Sequence, residues 1–145
     1  NGTDRMSLGI KAGGSLYPTS EETLNKGWHN IYQDGKAVFK YAVSEMSNVA
    51  EQIMKRNKLN EESLDYLVPH QANKRIIDAT AKKMNLNPNQ IMVNIDKYAN
   101  TTAASIPLAL CDAYEQNKLD IDDNIILTSF GAGFTWGSCL IKWGI

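Results

Sequence analysis

The chain has 145 residues, 43% of them hydrophobic, enough to bury one core of ordinary size, so a single globular domain is the starting expectation. Its 15 basic and 16 acidic residues leave a formal net charge of −1, which offers no global field to draw in a nucleic acid or a membrane surface. No apolar run approaches the ~18 residues of a membrane span, and no charged-then-apolar export signal opens the chain, so a soluble, cytoplasmic protein is expected.

Residues 1–34 read as a loop-rich leader or substrate-side flap. Gly13-Gly14, Tyr17-Pro18, Thr19-Ser20 and Gly27 break it up, and the weak pattern from Met6 to Lys11 allows one short strand. From Asp34-Gly35 onward, Val38, Phe39, Ala42, Val43, Met46, Val49, Ala50, Ile53 and Met54 recur at three- and four-residue steps. That spacing predicts an amphipathic helix of about six turns, and Lys55, Arg56 and Lys58 suit its negative C-terminal end. Leu64 to Val68 is a compact apolar run stopped by Pro69, a buried strand. Ala72, Ile76, Ile77, Ala79, Thr80, Ala81 and Met84 mark a second helix ending near Asn85. A strand over Ile91 to Ile95 is expected next, then a third helix from about Thr102, with Pro107 in its first turn where the missing N–H does least harm. Two strands, Ile125 to Phe130 and Gly137 to Trp143, close the chain. The order α-β-α-β-α-β-β, with strands that are continuous apolar runs, selects an α/β layered sandwich whose mixed sheet is covered by helices.

Ligands in such folds gather at strand ends, and three of these are chemically rich: Pro69-His70-Gln71-Ala72-Asn73, Ala99-Asn100-Thr101-Thr102 and Phe130-Gly131-Ala132-Gly133. A neutral histidine and an asparagine amide can both donate to a developing oxyanion, and a glycine turn lets backbone N–H groups approach a substrate. Each has a structural reading as well. His70 after Pro69 also suits a strand-end cap, Asn100 an N-cap or Asx turn, and the glycine turn a hairpin connection. His29 has no evident partner and reads as a surface or packing residue. Two histidines without a carboxylate or thiol cluster do not make a metal site. Cys111 and Cys139 show no CxxC or Cys/His spacing; in their apolar contexts they read as buried thiols, and no disulfide framework is indicated. The opening Asn1-Gly2-Thr3-Asp4, without a methionine and inside a polar stretch, reads as part of a longer protein.

Three segments in this order, Val68-Pro69-His70-Gln71-Ala72-Asn73, Asn100-Thr101-Thr102-Ala103-Ala104-Ser105-Ile106-Pro107 and Phe130-Gly131-Ala132-Gly133-Phe134-Thr135-Trp136-Gly137, resemble the C-terminal half of β-ketoacyl-[acyl-carrier-protein] synthase III, a family of thiolase-like condensing enzymes. The resemblance runs from about Gly35 to the C-terminus, so that residues 35–145 form the C-terminal thiolase-like domain. It implies a cysteine–histidine–asparagine site in which His70 and Asn100 are catalytic and the cysteine lies in an N-terminal half. Neither Cys111 nor Cys139 stands in the family's nucleophile motif.

It further implies the backbone N–H of Ala132 as an oxyanion donor and Phe130 packed beside the cysteine. Gly35, Phe39, Ala72 and Asn73 would line a pantetheine tunnel, and Arg75, aided by Lys36 and Lys40, would face the acyl carrier protein. The implied substrates are a short acyl-CoA and malonyl-acyl carrier protein, with no cofactor and no metal, in a homodimer. Two departures from the family pattern are Ala99, where many relatives have glycine, and Ala132, which replaces a glycine in the oxyanion turn and requires a compatible dihedral there. Related polyketide or lipid condensing enzymes share this pattern. The competing expectation is a binding or scaffold domain that holds pantetheine thioesters without covalent chemistry. An upstream cysteine at a helix N-terminus would decide for the enzyme.

Overall fold

The structure is a computed structural model that describes residues 1–3 and 6–145. The chain falls into two compact units, Asn1–Tyr41 with Gly131–Thr135, and Ala42–Phe130 with Trp136–Ile145.

In the first unit, strands β1 (Leu8–Ile10) and β2 (Ile31–Gln33) pair antiparallel, Leu8 opposite Gln33 and Ile10 opposite Ile31. Between them lies α1 (Glu21–Asn25), started by a reciprocal cap in which the Ser20 side chain accepts from the Thr23 N–H and the Thr23 side chain accepts from the Ser20 N–H. The leader is therefore more regular than the sequence suggests, because three-residue strands and a single helical turn are too short to show a period. His29 has a partner after all: its Nε2 lies 3.0 Å from Thr23 Oγ1.

Helix α2 (Gly35–Arg56) begins where Asp34 Oδ1 accepts from the N–H groups of Lys36 and Ala37, both at 3.0 Å, and Lys55 and Arg56 occupy its last turn as expected. Ala42, Met46, Ala50 and Met54 form its buried stripe in the second unit. Strand β3 (Tyr66–Pro69) runs parallel to β4 (Asn124–Gly131), pairing Tyr66 with Ile125 and Pro69 with Thr128. β4 is also bonded to β5 (Thr135–Lys142), and their short connection requires that pair to be antiparallel, so the sheet is mixed. Alternate residues of β3 and β4 serve opposite faces. Leu67 and Ile126 join Ala50 and Met54 of α2, whereas Val68 and Ile125 join Ala109 and Ala113 of α5 (Ser105–Glu115). Both faces of β3 and β4 are covered, which explains their uninterrupted apolar runs. Each fully buried Leu, Ile or Val contributes about 1.5–3 kcal/mol.

Two expectations fail here. Ile91 to Ile95 is not a strand: after the 3-10 turn Pro88–Gln90, Ile91 makes a single parallel bridge to Leu67, and Ile95–Tyr98 is a short helix, α4. The cause is Pro69. Extending the ladder would need the N–H of residue 69 on Met92 O, and proline has none. The fully buried Gln71 fills the gap, its Nε2 donating to Pro69 O (2.8 Å) and Met92 O (3.2 Å) and its Oε1 accepting from the Asn94 N–H (3.1 Å). Both cysteines, moreover, are exposed in this chain, Cys111 on the outer side of α5 and Cys139 on β5, whose residues alternate between exposed and half-buried. An apolar neighbourhood in sequence did not place either thiol on a buried face.

Candidate active site

His70 is the first residue beyond β3, and its backbone N–H donates to Thr128 O at 2.8 Å, one further rung on β4 that fixes the residue in space. The ring is half-buried, and burial pushes its pKa below the ordinary histidine value, so it is neutral near pH 7. Its Nδ1 lies 2.6 Å from Ser105 Oγ, and the same oxygen accepts from the Gln71 N–H at 3.2 Å.

Asn100 lies on the loop between α4 and the 3-10 turn Thr102–Ala104, which leads directly into α5. Asp112 of α5 ties α4 down, accepting from Asn94 Nδ2 at 3.1 Å and from the Tyr98 hydroxyl at 3.0 Å, with Lys97 Nζ at 3.6 Å. The Asn94 amide is the chief cause that holds the Asp112 carboxyl below the usual carboxylate range. The loop itself is tight. Ala99 has φ 56° and ψ −155°, a combination almost confined to glycine, and Thr102 has φ 52°. Asn100 Oδ1 accepts from the Thr102 N–H at 3.0 Å, the Asx turn expected from the sequence. This turn does not compete with a donor role, because it occupies the amide oxygen and leaves the amide N–H groups. Among the described residues, neither Asn100 Nδ2 nor His70 Nε2 has a hydrogen-bond partner.

His70 and Asn100 are thus carried on two loops of one unit, and the Ser105 hydroxyl, five residues beyond Asn100, bonds the histidine loop to the asparagine segment. Ala72 is half-buried, Asn73 caps α3 (Lys74–Lys83) by accepting from the Arg75 N–H at 2.9 Å, and Arg75 is exposed in its first turn. Phe130 is buried at the end of β4, its ring stacked on Trp136 with centroids 6.4 Å apart.

The remaining candidates belong to the first unit. Gly35, Lys36, Phe39 and Lys40 occupy the opening of α2, with Phe39 half-buried and the two lysines exposed. Ala132 is exposed in the β4–β5 turn, where Thr135 Oγ1 donates to its carbonyl at 3.0 Å. Its φ lies outside the left-handed region, so the alanine there meets the dihedral condition; the strained substitution is Ala99. Gly133, at φ 144°, could not bear a side chain, since a Cβ would fall 2.8 Å from Thr135. Ser105 and Gln71 are the residues that motif reading passed over as individuals. Their signals were a serine two residues before a helix-opening proline and a glutamine two residues after a proline that ends a strand.

Compared with solved structures, the chain matches 3-oxoacyl-(acyl carrier protein) synthase III of Pseudomonas aeruginosa PAO1 with a TM-score of 0.87 and 37% identity, covering 100% of this chain and 43% of that one. The Thermus thermophilus β-ketoacyl synthase III gives a TM-score of 0.84 at 34% identity, covering 99% and 44%. The architecture is that of a thiolase-like condensing enzyme's C-terminal part. Residues 54–143 match the family described as 3-Oxoacyl-[acyl-carrier-protein (ACP)] synthase III C terminal, and the chain belongs to that family. Over 139 residues it is 51% identical to the β-ketoacyl-[acyl-carrier-protein] synthase III of Chlorobaculum tepidum, covering 96% of this chain and 42% of that relative. The chain therefore spans less than half the length of the curated relatives it matches.

Proposed function

We propose that this chain supplies the decarboxylation donors of an acyltransferase that condenses a short acyl-CoA with malonyl-acyl carrier protein and so begins fatty acid synthesis. The observation that carries the reading is the pair of unpartnered donors, His70 Nε2 and Asn100 Nδ2, on two loops held together by Ser105. In the proposed reaction an acyl group first passes from coenzyme A to a cysteine outside these 145 residues. The malonyl thioester then loses carbon dioxide, and the electron pair of the broken C–C bond becomes an enolate whose negative charge falls on the thioester oxygen. His70 and Asn100 donate hydrogen bonds to that oxygen, each lowering the barrier by about 3 kcal/mol. The enolate carbon attacks the acyl thioester, and the cysteine leaves as the new C–C bond is completed. The oxyanion formed during that attack is assigned to the Ala132 N–H together with the cysteine's own.

A neutral ring is required for the donor role to persist without protonating the enolate, and the lowered His70 pKa supports it. Gly35, Phe39, Ala72 and Asn73 are assigned to the pantetheine arm, Phe130 to packing beside the cysteine, and Arg75, Lys36 and Lys40 to the carrier protein's acidic surface. These assignments, the division into a leader of residues 1–34 and a catalytic domain of residues 35–145, and a homodimeric whole rest on the family resemblance. A cytoplasmic setting agrees with two free, exposed thiols; no helix among the described residues is long and apolar enough to cross a membrane.

The test uses the full-length protein. His70→Ala and Asn100→Ala should each lower malonyl decarboxylation by roughly 10²–10³-fold while leaving acyl loading of the cysteine largely intact. Normal decarboxylation by His70→Ala would refute the assignment.

A further inference from the structure

We propose that Ser105 is a positioning residue that fixes the His70 ring as its Nε2–H tautomer, so that the proton stands on the nitrogen left free to meet the substrate. Its catalytic meaning rests on the decarboxylation reading, whereas the tautomer can be established without it.

Ser105 opens α5 and is only 2% exposed, so its hydroxyl must be satisfied by protein groups. Two groups approach the oxygen: the Gln71 backbone N–H at 3.2 Å and His70 Nδ1 at 2.6 Å. The backbone N–H can only donate, so it occupies a lone pair. The hydroxyl proton then has one acceptor in reach among the described residues, the unprotonated Nδ1. If Nδ1 carried the ring proton, two donors would converge on one oxygen and the buried hydroxyl proton would have no acceptor. The ring proton is therefore on Nε2.

The alignment is built in from both sides. Gln71, whose N–H orients the hydroxyl, is itself locked by three hydrogen bonds from its side chain to Pro69, Met92 and Asn94. On the other side, Pro107 fixes the backbone of the first turn of α5, from which the Ser105 side chain projects. The second histidine offers an internal reference. His29 Nε2 lies 3.0 Å from Thr23 Oγ1 and has no hydrogen bond to Ser105, so its signals report a ring that Ser105 does not touch.

The test is 15N NMR of the full-length protein labelled on histidine, recorded where both rings are neutral, with His70 and His29 assigned by their loss in His70→Gln and His29→Gln. The wild type should show His70 as a pure Nε2–H tautomer. Ser105→Ala should turn the His70 signals into an average of two tautomers and leave those of His29 unchanged, and Ser105→Thr, which keeps the hydroxyl, should restore the wild-type pattern. In turnover, Ser105→Ala should lower decarboxylation kcat about tenfold with little change in KM, a smaller loss than the roughly 10²–10³ expected on deleting a donor. A wild-type His70 protonated on Nδ1, or a pure Nε2–H ring in Ser105→Ala, would overturn the proposal. The wild-type spectrum decides even where Ser105→Ala does not fold. A normal tautomer result alongside undiminished decarboxylation in His70→Ala would instead retire the functional reading alone.

Discussion

Asn100 is held between two residues in left-handed backbone, Ala99 at φ 56° and Thr102 at φ 52°, and its own amide oxygen closes the loop on the Thr102 N–H. A non-glycine residue in the region that Ala99 occupies costs of order 1–3 kcal/mol. The rest of the loop must supply that energy, and the ties of Asn94 and Tyr98 to Asp112 are the visible source. Ala99→Gly should therefore stabilise the protein despite the larger entropy glycine brings to the unfolded chain, by about 1 kcal/mol net. In thermal unfolding this corresponds to a rise in Tm of about 2–4 °C for a protein of this size. A fall in Tm would show that the methyl of Ala99 gains more in contacts than its dihedral loses. The family resemblance marked Ala99 as a departure from a glycine that it implies for many relatives, yet a one-letter difference holds no dihedral angle. The dihedral condition was accordingly expected at Ala132, whose backbone φ lies outside the left-handed region, whereas the strain sits at Ala99.

At the scale of elements, the decisive side chain is Gln71. Its amide takes the place of the peptide group that Pro69 lacks, serving Pro69 O, Met92 O and the Asn94 N–H, so that the segment after Ile91 stays beside β3 without being a strand. Gln71→Leu preserves volume but leaves those buried groups without partners, at about 1–3 kcal/mol for each. Urea denaturation should show a loss of about 4 kcal/mol, whereas Gln116→Leu, at an exposed position, should change stability by no more than about 0.5 kcal/mol. Hydrogen exchange supplies the local reading: the Asn94 amide should lose protection while that of Met92, bonded to Leu67 O, keeps more of it. Equal protection of both amides in Gln71→Leu would contradict the account.

The long elements were legible in sequence because α2, α3, α5, β3 and β4 bury complete stripes or both faces, which forces a period. The stretch from Ile91 to Ile95 was misread because its fate depends on Pro69 and Gln71, far upstream in the chain. Such long-range hydrogen bonding leaves no local period. His70 and Asn100 were legible as motif residues, while Ser105 became visible only once the two loops stood together.

For the molecule as a whole, the issue is where the nucleophile resides. The proposed condensation requires a thiol that a histidine and an amide can serve, and this chain has two, both exposed. Cys111 Sγ lies 3.8 Å from Glu115 Oε1 and Cys139 Sγ lies 3.6 Å from Leu140 O, so neither has His70 or Asn100 as a hydrogen-bond partner. His70 Nδ1 is already engaged by Ser105. The chain also accounts for only 42% of the length of the Chlorobaculum relative, which leaves ample sequence in such a protein for a nucleophile elsewhere. In the full-length protein, the double variant Cys111→Ser/Cys139→Ser should therefore keep condensation activity within about twofold, since surface substitutions away from a site are nearly neutral. After exposure to acetyl-CoA, peptide mass spectrometry should find the acetyl thioester outside the 145 residues described by this sequence. The isolated chain should give no product from acetyl-CoA and malonyl-carrier protein. An acetyl adduct on Cys111 or Cys139, accompanied by loss of turnover in the double variant, would place the whole reaction within this chain and remove the need for a second half.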